Sequence, residues 1–253
     1  MAIGVFDSGV GGLTIYGELS KAFPAADIFY LGDCARAPYG NNSSEVITKY
    51  ALEDASYLLK TYRVSALVVA CNTISVCAIP ALEQAFSIPV LGVVQASVES
   101  GLAMTKNKKL GVIATRATVS SGAYTSAIAA YDPRVQIWQK ACPLLVSLAE
   151  EGVWTGELPR ITAKMYIDEL AERGIDTLIL GCTHFPLLAD VIAGAFPAIQ
   201  LADGTYSMVK RVQALMPARE SGKREVCITG TPTSLDIVKQ ILPAGTPTKL
   251  IKL

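Results

Sequence analysis

One histidine, His184, serves all 253 residues, and none of the six cysteines forms a Cys-x-x-Cys pair. That scarcity excludes the usual mixed Cys/His zinc sites, so no metal is expected, and the missing spacing argues against a redox dithiol. Net charge is absent too: 22 basic residues balance 22 acidic ones, and charged residues make up only 17% of the chain. No overall field favours nucleic acid or an anionic membrane. No uncharged apolar stretch approaches the roughly 20 residues needed to span a bilayer. The start, Met1-Ala2-Ile3-Gly4-Val5-Phe6-Asp7, lacks the basic region of a signal peptide and meets a carboxylate too early. A cytoplasmic protein with no nucleic-acid or membrane partner is expected. Low-complexity segments and long linkers are missing as well; the loosest stretch, Pro217–Arg224, reads as a solvated loop.

What is present is apolar: 51% of the residues are hydrophobic, enough for one large domain or two ordinary ones. Short apolar runs predict strands at Ile3–Phe6, Ile28–Leu31, Ala66–Ala70, Val90–Val93 and Leu110–Ala114. Further strands are expected at Val135–Trp138, Thr177–Leu180, Ile199–Ala202, Val226–Thr229 and Lys249–Ile251. Helical periodicity fills Ser44–Thr61, Ile74–Phe86, Thr118–Ala130, Leu158–Arg173 and Ser234–Leu242. Such alternation predicts an α/β fold with mainly parallel sheets and helices on both faces.

The chain also repeats itself. Ile3-Gly4-Val5-Phe6-Asp7-Ser8 matches Leu110-Gly111-Val112-Ile113-Ala114-Thr115 at an offset of 107, and Cys71 matches Cys182 at an offset of 111. Two pseudo-symmetric, doubly wound domains follow, residues 1–96 with 207–253 and residues 97–206, the boundary lying near Gln95–Gly101.

Chemistry gathers at the strand ends. Leu178-Ile179-Leu180-Gly181-Cys182-Thr183-His184 and Leu67-Val68-Val69-Ala70-Cys71-Asn72-Thr73 each run from a buried strand into a thiol flanked by hydroxyl or amide groups. Ligands of open α/β sheets bind at such carboxyl ends. Asp7-Ser8-Gly9-Val10-Gly11-Gly12 ends another strand; its glycines allow close backbone approach, and Asp7 could hold an ammonium group. It matches neither a dinucleotide fingerprint nor a P-loop. Pro38-Tyr39-Gly40 could offer backbone N–H groups and a phenol to a small carboxylate, or be a surface turn before a helix capped by Ser43 or Ser44. A thiol with a reference pKa of about 8.5 needs tuning to act as a base, and Asp7 and His184 are the candidate tuners. Two equivalent thiols suit racemisation, which needs a base on one face of a carbon and an acid on the other. Cys77, Cys142 and Cys227 read as small buried hydrophobes.

Four stretches in order carry a resemblance: Phe6-Asp7-Ser8-Gly9-Val10-Gly11-Gly12-Leu13-Thr14, Ala35-Arg36-Ala37-Pro38-Tyr39-Gly40, Ala70-Cys71-Asn72-Thr73 and Gly181-Cys182-Thr183-His184-Phe185-Pro186-Leu187-Leu188. Together they resemble the glutamate racemases of the aspartate/glutamate racemase superfamily, from Ile3 to about Asp203. The resemblance implies a cofactor-independent isomerase that interconverts L- and D-glutamate for peptidoglycan synthesis, with its active site between two α/β domains and a homodimeric assembly. It implies that Cys71 deprotonates D-glutamate and Cys182 L-glutamate. Asp7 and His184 would assist, Glu150 would stand near the histidine, and Asp7, Ser8, Pro38, Tyr39, Gly40, Asn72, Thr73, Thr183 and His184 would bind substrate. The absence of lysine from every tip agrees with independence from pyridoxal phosphate.

Departures from the family pattern are Cys34 for threonine, Gln95-Ala96 for Pro-Gly and a loosely matching Leu201-Ala202-Asp203-Gly204. The early first motif implies no activation by a wall precursor. Competing readings are a sister racemase of aspartate or another small acid, a binding protein on the same fold, and a thiol hydrolase using Cys182 and His184. Thiols at both tips argue against simple binding, and no second motif suggests an oxyanion hole.

Overall fold

The first apolar run, Ala2–Asp7, forms β1 and is buried from Ile3 onward. Helix α1 (Leu13–Ala22), β2 (Asp27–Gly32), α2 (Ser44–Tyr62), β3 (Ala66–Val69), α3 (Asn72–Ala85) and β4 (Val90–Gly92) follow. Then come α4 (Val93–Met104), β5 (Lys109–Ala114), α5 (Arg116–Ser120), α6 (Ala123–Tyr131), β6 (Gln136–Ala141) and α7 (Pro143–Glu150). The order continues with α8 (Glu157–Glu172), β7 (Thr177–Gly181), α9 (Ala189–Ala195), β8 (Gln200–Ala202), α10 (Thr205–Gln213), β9 (Arg224–Ile228) and β10 (Thr248–Leu250). This computed structural model describes residues 2–215, 222–231, 238–239, 241–243 and 245–253. Most of the expected Ser234–Leu242 helix and of the Pro217–Arg224 loop lies outside them.

The chain divides into two compact units, Met1–Val93 with Met208–Leu253, and Val94–Ser207. The first holds a six-stranded sheet in the order β10-β9-β2-β1-β3-β4, and the second a four-stranded sheet in the order β6-β5-β7-β8. Every strand pair is parallel. The order β2-β1-β3-β4 recurs as β6-β5-β7-β8, so the duplication extends from short motifs to topology. It also extends to register: Phe6 pairs with Val69 as Ile113 pairs with Leu180.

Parallel register decides which side chains share a face. In the first unit Phe6, Leu31 and Val69 stand in one row, packed with Ile47, Ala51, Ala55 and Leu58 of α2 and Ile74, Ala78 and Leu82 of α3. Each such aliphatic side chain contributes roughly 1.5–3 kcal/mol on burial. Tyr30, one place out of phase, faces the other way and meets Tyr16 of α1 edge-on, ring centroids 5.8 Å apart. In the second unit Ile113, Leu178 and Leu180 pack with α7, α8 and α9. A Cβ on Gly101 of α4 would lie 2.6 Å from Ile179 on the opposite face.

One expectation changes. Thr118–Ala130 is two helices, because Gly122 adopts φ 66 between them and Ser121 Oγ donates to Thr118 O at 2.7 Å. The units divide at Val93–Val94, where α4 begins, a few residues before the expected Gln95–Gly101, and no proline or glycine interrupts the chain between Val93 and Ser100.

Gly32 ends β2 under the Asp7 loop, where a Cβ would sit 2.3 Å from the Gly9 carbonyl oxygen. Gly32→Ala should cost about 2–3 kcal/mol, because backbone rather than a flexible side chain must give way. Urea unfolding checks this; an unchanged midpoint would show that the loop yields freely.

Candidate active site

The duplicated register brings particular residues together at the carboxyl ends of the sheets. Continuing β1 and β3 past Phe6–Val69 sets Ser8 beside Cys71. The Ser8 hydroxyl lies 3.6 Å from Cys71 Sγ. Asp7, at the end of β1, is fully buried and accepts from Gly9 N at 3.0 Å, which folds the glycine loop back over it. Tyr30 braces that loop from below, its hydroxyl donating to Gly9 O at 2.7 Å.

Cys71 is also the N-cap of α3, its sulfur accepting from Ile74 N at 3.5 Å. A helix amino terminus favours a thiolate. Burial nevertheless dominates: it pushes the Cys71 thiol up to about 12, the Asp7 carboxylate adds to the rise, and Ile74 N–H and Ser8 offset only part of it. At rest Cys71 is therefore a neutral thiol, an acid with a proton to give. Asn72 and Thr73, the first residues of α3, are buried beside it.

The loop after β2 carries the Pro-Tyr-Gly stretch. Pro38 is exposed and Gly40 half-buried, but Tyr39 is buried and turned inward, its hydroxyl donating to Asp33 Oδ2. The phenol is thus not presented outward to a ligand; packing against α2 claims it. The helix that follows begins as a capped one, Ser43 Oγ accepting from Val46 N at 3.4 Å.

In the second unit Cys182 follows β7, and its sulfur lies 3.5 Å from His184 Nδ1. Behind the ring, His184 Nε2 stands 3.7 Å from Glu150 Oε1 and makes no hydrogen bond. Burial lowers the His184 pKa to about 4, so the ring is neutral near pH 7. The tautomer with its proton on Nε2 leaves Nδ1 free to accept from the Cys182 thiol. Glu150 ends α7, where the Trp154 indole donates to Ala149 O at 2.9 Å. Thr183 is buried between Cys182 and His184, while Phe185 and Leu188 anchor the turn in the core.

The expected residues thus form one cluster of Asp7, Ser8 and Cys71 and another of Cys182, His184 and Glu150. Thr115 was missed by motif reading. Register sets it beside Cys182 as Ser8 is set beside Cys71, and its hydroxyl lies 3.0 Å from that of buried Thr118. The 107-residue offset, which aligns Thr115 with Ser8, is the signal that could have found it. Of the other cysteines, Cys142 and Cys227 are buried, and Cys34 and Cys77 half-buried; all six are free thiols. Among the described residues no group of His, Cys, Asp and Glu could hold a metal ion, and no helix is long and apolar enough to cross a membrane.

The chain is similar to known proteins over nearly its whole length. The family profile of Asp/Glu/Hydantoin racemases matches residues 3–212. The glutamate racemase of Sulfurihydrogenibium sp. is 45% identical over 254 residues, covering 100% of this chain and 98% of its own. The chain belongs to the glutamate racemase family. A glutamate racemase of Francisella tularensis, solved with D-glutamate, superposes with a TM-score of 0.90 at 35% identity, covering 99% of this chain and 97% of its own. That of Aquifex pyrophilus gives 0.85 at 40% identity, covering 99% and 98%. An aspartate racemase of Picrophilus torridus shares the fold, with a TM-score of 0.61, at 16% identity. As a glutamate racemase the chain is an isomerase, built from two pseudo-symmetric α/β domains with parallel sheets.

Proposed function

We propose that this enzyme interconverts L- and D-glutamate by two-base proton transfer, without a cofactor and as a homodimer, supplying D-glutamate for peptidoglycan. The carrying observation is a buried thiol at the equivalent strand end of each sheet, each with its own polar partner. The mechanism requires these thiols on opposite faces of one α-carbon. With L-glutamate, the Cys182 thiolate takes the α-proton and its electron pair delocalises into the substrate carboxylate as an enediolate. The Cys71 thiol then returns a proton to the other face, giving D-glutamate; the reverse reaction exchanges the roles.

The electrostatics suit this division. Cys71, held neutral, is ready to donate. For it to abstract from D-glutamate, the charge that opposes its ionisation must be offset, and a substrate ammonium against Asp7 does so. On the other side the neutral His184 ring accepts the Cys182 proton through Nδ1, and the imidazolium so formed draws toward Glu150. Ser8, Asn72, Thr73 and Thr183 supply hydrogen bonds to the substrate, and the Pro38-Tyr39-Gly40 turn its backbone N–H groups.

Incubation with D-glutamate in D2O, no cofactor added, should cancel the circular dichroism signal while deuterium enters the α-carbon. Signal and proton both persisting in folded protein would reject the reading for glutamate; aspartate and other small acids would be assayed in the same way.

A further inference from the structure

Helix α2 turns Ile47, Ala51, Ala55 and Leu58 into the core, and Asp54 lies on that same stripe, fully buried. A carboxyl there needs partners. They come from the loop after β2. Arg36 Nη2 donates to Asp54 Oδ1 at 3.0 Å, and Tyr39 Oη lies 3.3 Å from Asp54 Oδ2. Asp33, also buried, collects three donors: the Tyr39 hydroxyl, Arg36 Nε and Thr229 Oγ1, the last at 2.7 Å. Thr229 Oγ1 accepts in turn from Ala35 N at 2.9 Å, and Arg36 Nη1 pairs with Glu53.

Counting protons separates the two buried carboxyls. A phenol has a single O–H, and Tyr39 gives it to Asp33. Toward Asp54 Oδ2 it therefore presents a lone pair, which an ionised carboxylate would meet with another. A proton on Oδ2 turns this opposition into a donated hydrogen bond. Charge balance agrees, since the one guanidinium of Arg36 serves Asp33, Asp54 and Glu53. Burial, and then the charge on Asp33, push the Asp54 carboxyl well above the usual carboxylate range.

Taking the racemase reading above as given, we propose that Asp54 is held as a protonated carboxylic acid and that Asp54 and Arg36 are positioning residues for the substrate-binding turn Pro38–Gly40. The relay runs from Asp54 O–H to Tyr39, and from Tyr39 O–H to the Asp33 carboxylate. It ties the turn to α2 on one side and to Thr229, just past β9, on the other. The loop also starts beside Asp7, where Asp33 N donates to Asp7 O at 3.0 Å. None of these groups touches the thiols, so loosening the relay weakens substrate binding more than proton transfer.

Asp54→Asn preserves the pattern, its amide donating to Tyr39 and its oxygen accepting from Arg36; KM should stay within about twofold of the parent. Asp54→Ala strands both partners, and KM should rise roughly tenfold in both directions while kcat changes less than about threefold. The infrared band of a protonated carboxyl should be present at neutral pH and lost in Asp54→Asn. If Asp54→Ala does not fold, Tyr39→Phe breaks the same relay and should raise KM alike. A missing band, or Asp54→Asn behaving like Asp54→Ala, would overturn the protonated acid. A lower thermal midpoint with unchanged KM would overturn the positioning role. Should the parent not racemise glutamate, the functional reading fails on its own, and the infrared band still reports on Asp54.

Discussion

Replacing Cys71 or Cys182 with alanine is expected to lower the racemisation kcat by roughly 10³–10⁴-fold, the upper part of what one positioned acid or base contributes. Each variant should keep its fold, because losing one buried sulfur costs only about 1–2 kcal/mol. The two losses should differ in kind. With Cys182 gone, Cys71 can still lift the proton from D-glutamate and return a deuteron to the same face. Deuterium should then enter D-glutamate slowly, with no L isomer formed. With Cys71 gone, the exchange should be confined to L-glutamate. Proton NMR with chiral analysis reads both. Full racemisation by either variant, or exchange into the opposite isomer, would end the two-base assignment.

One buried ring should account for a separable part of this protein's loss of stability in acid. Burial holds the His184 pKa near 4, against 6.5 for a free imidazole. Between those values the unfolded chain binds a proton that the folded one refuses. The stability owed to the neutral ring is thus complete above pH 6.5 and lost as the pH falls toward 4. That difference amounts to about 3 kcal/mol. His184→Gln cannot titrate, so the gap in unfolding free energy between parent and variant should shrink by about this amount from pH 7.5 to pH 4. Parallel stability curves would mean that the ring is protonated in the fold, with Glu150 closing its 3.7 Å gap to hold the charge.

The central strands β1, β3, β5 and β7 were legible because a strand buried on both faces of a parallel sheet must be a continuous apolar run, whatever surrounds it. Only the ends moved, most at β6, which continues to Ala141 rather than Trp138. The helix after the glycine-rich Asp7 loop is legible as the far side of a strand-to-helix turn, whereas α4 is not, because it follows β4 without a break.

The two thiols and the repeat were also present in the chain itself. A strand-to-tip pattern is local, and two copies at nearly equal offsets required no knowledge of packing. Side-chain direction in irregular segments is a different matter. Tyr39 sits in a turn, and nothing local says whether its phenol faces a ligand or the core; Asp33 and the buried stripe of α2 decide that. Asp54 itself breaks the apolar periodicity of α2, yet its meaning depends on Arg36 and Tyr39 arriving from 18 and 15 residues away. The distance from His184 to Glu150 likewise depends on how α7 packs beside the turn after β7. By itself the sequence determined the alternation, the duplication and the chemistry at the strand ends, because each follows from residues adjacent along the chain. Tertiary structure alone decided strand order, the inward turn of Tyr39 and the ionisation of the buried groups, because these depend on burial and on charges brought near only by folding.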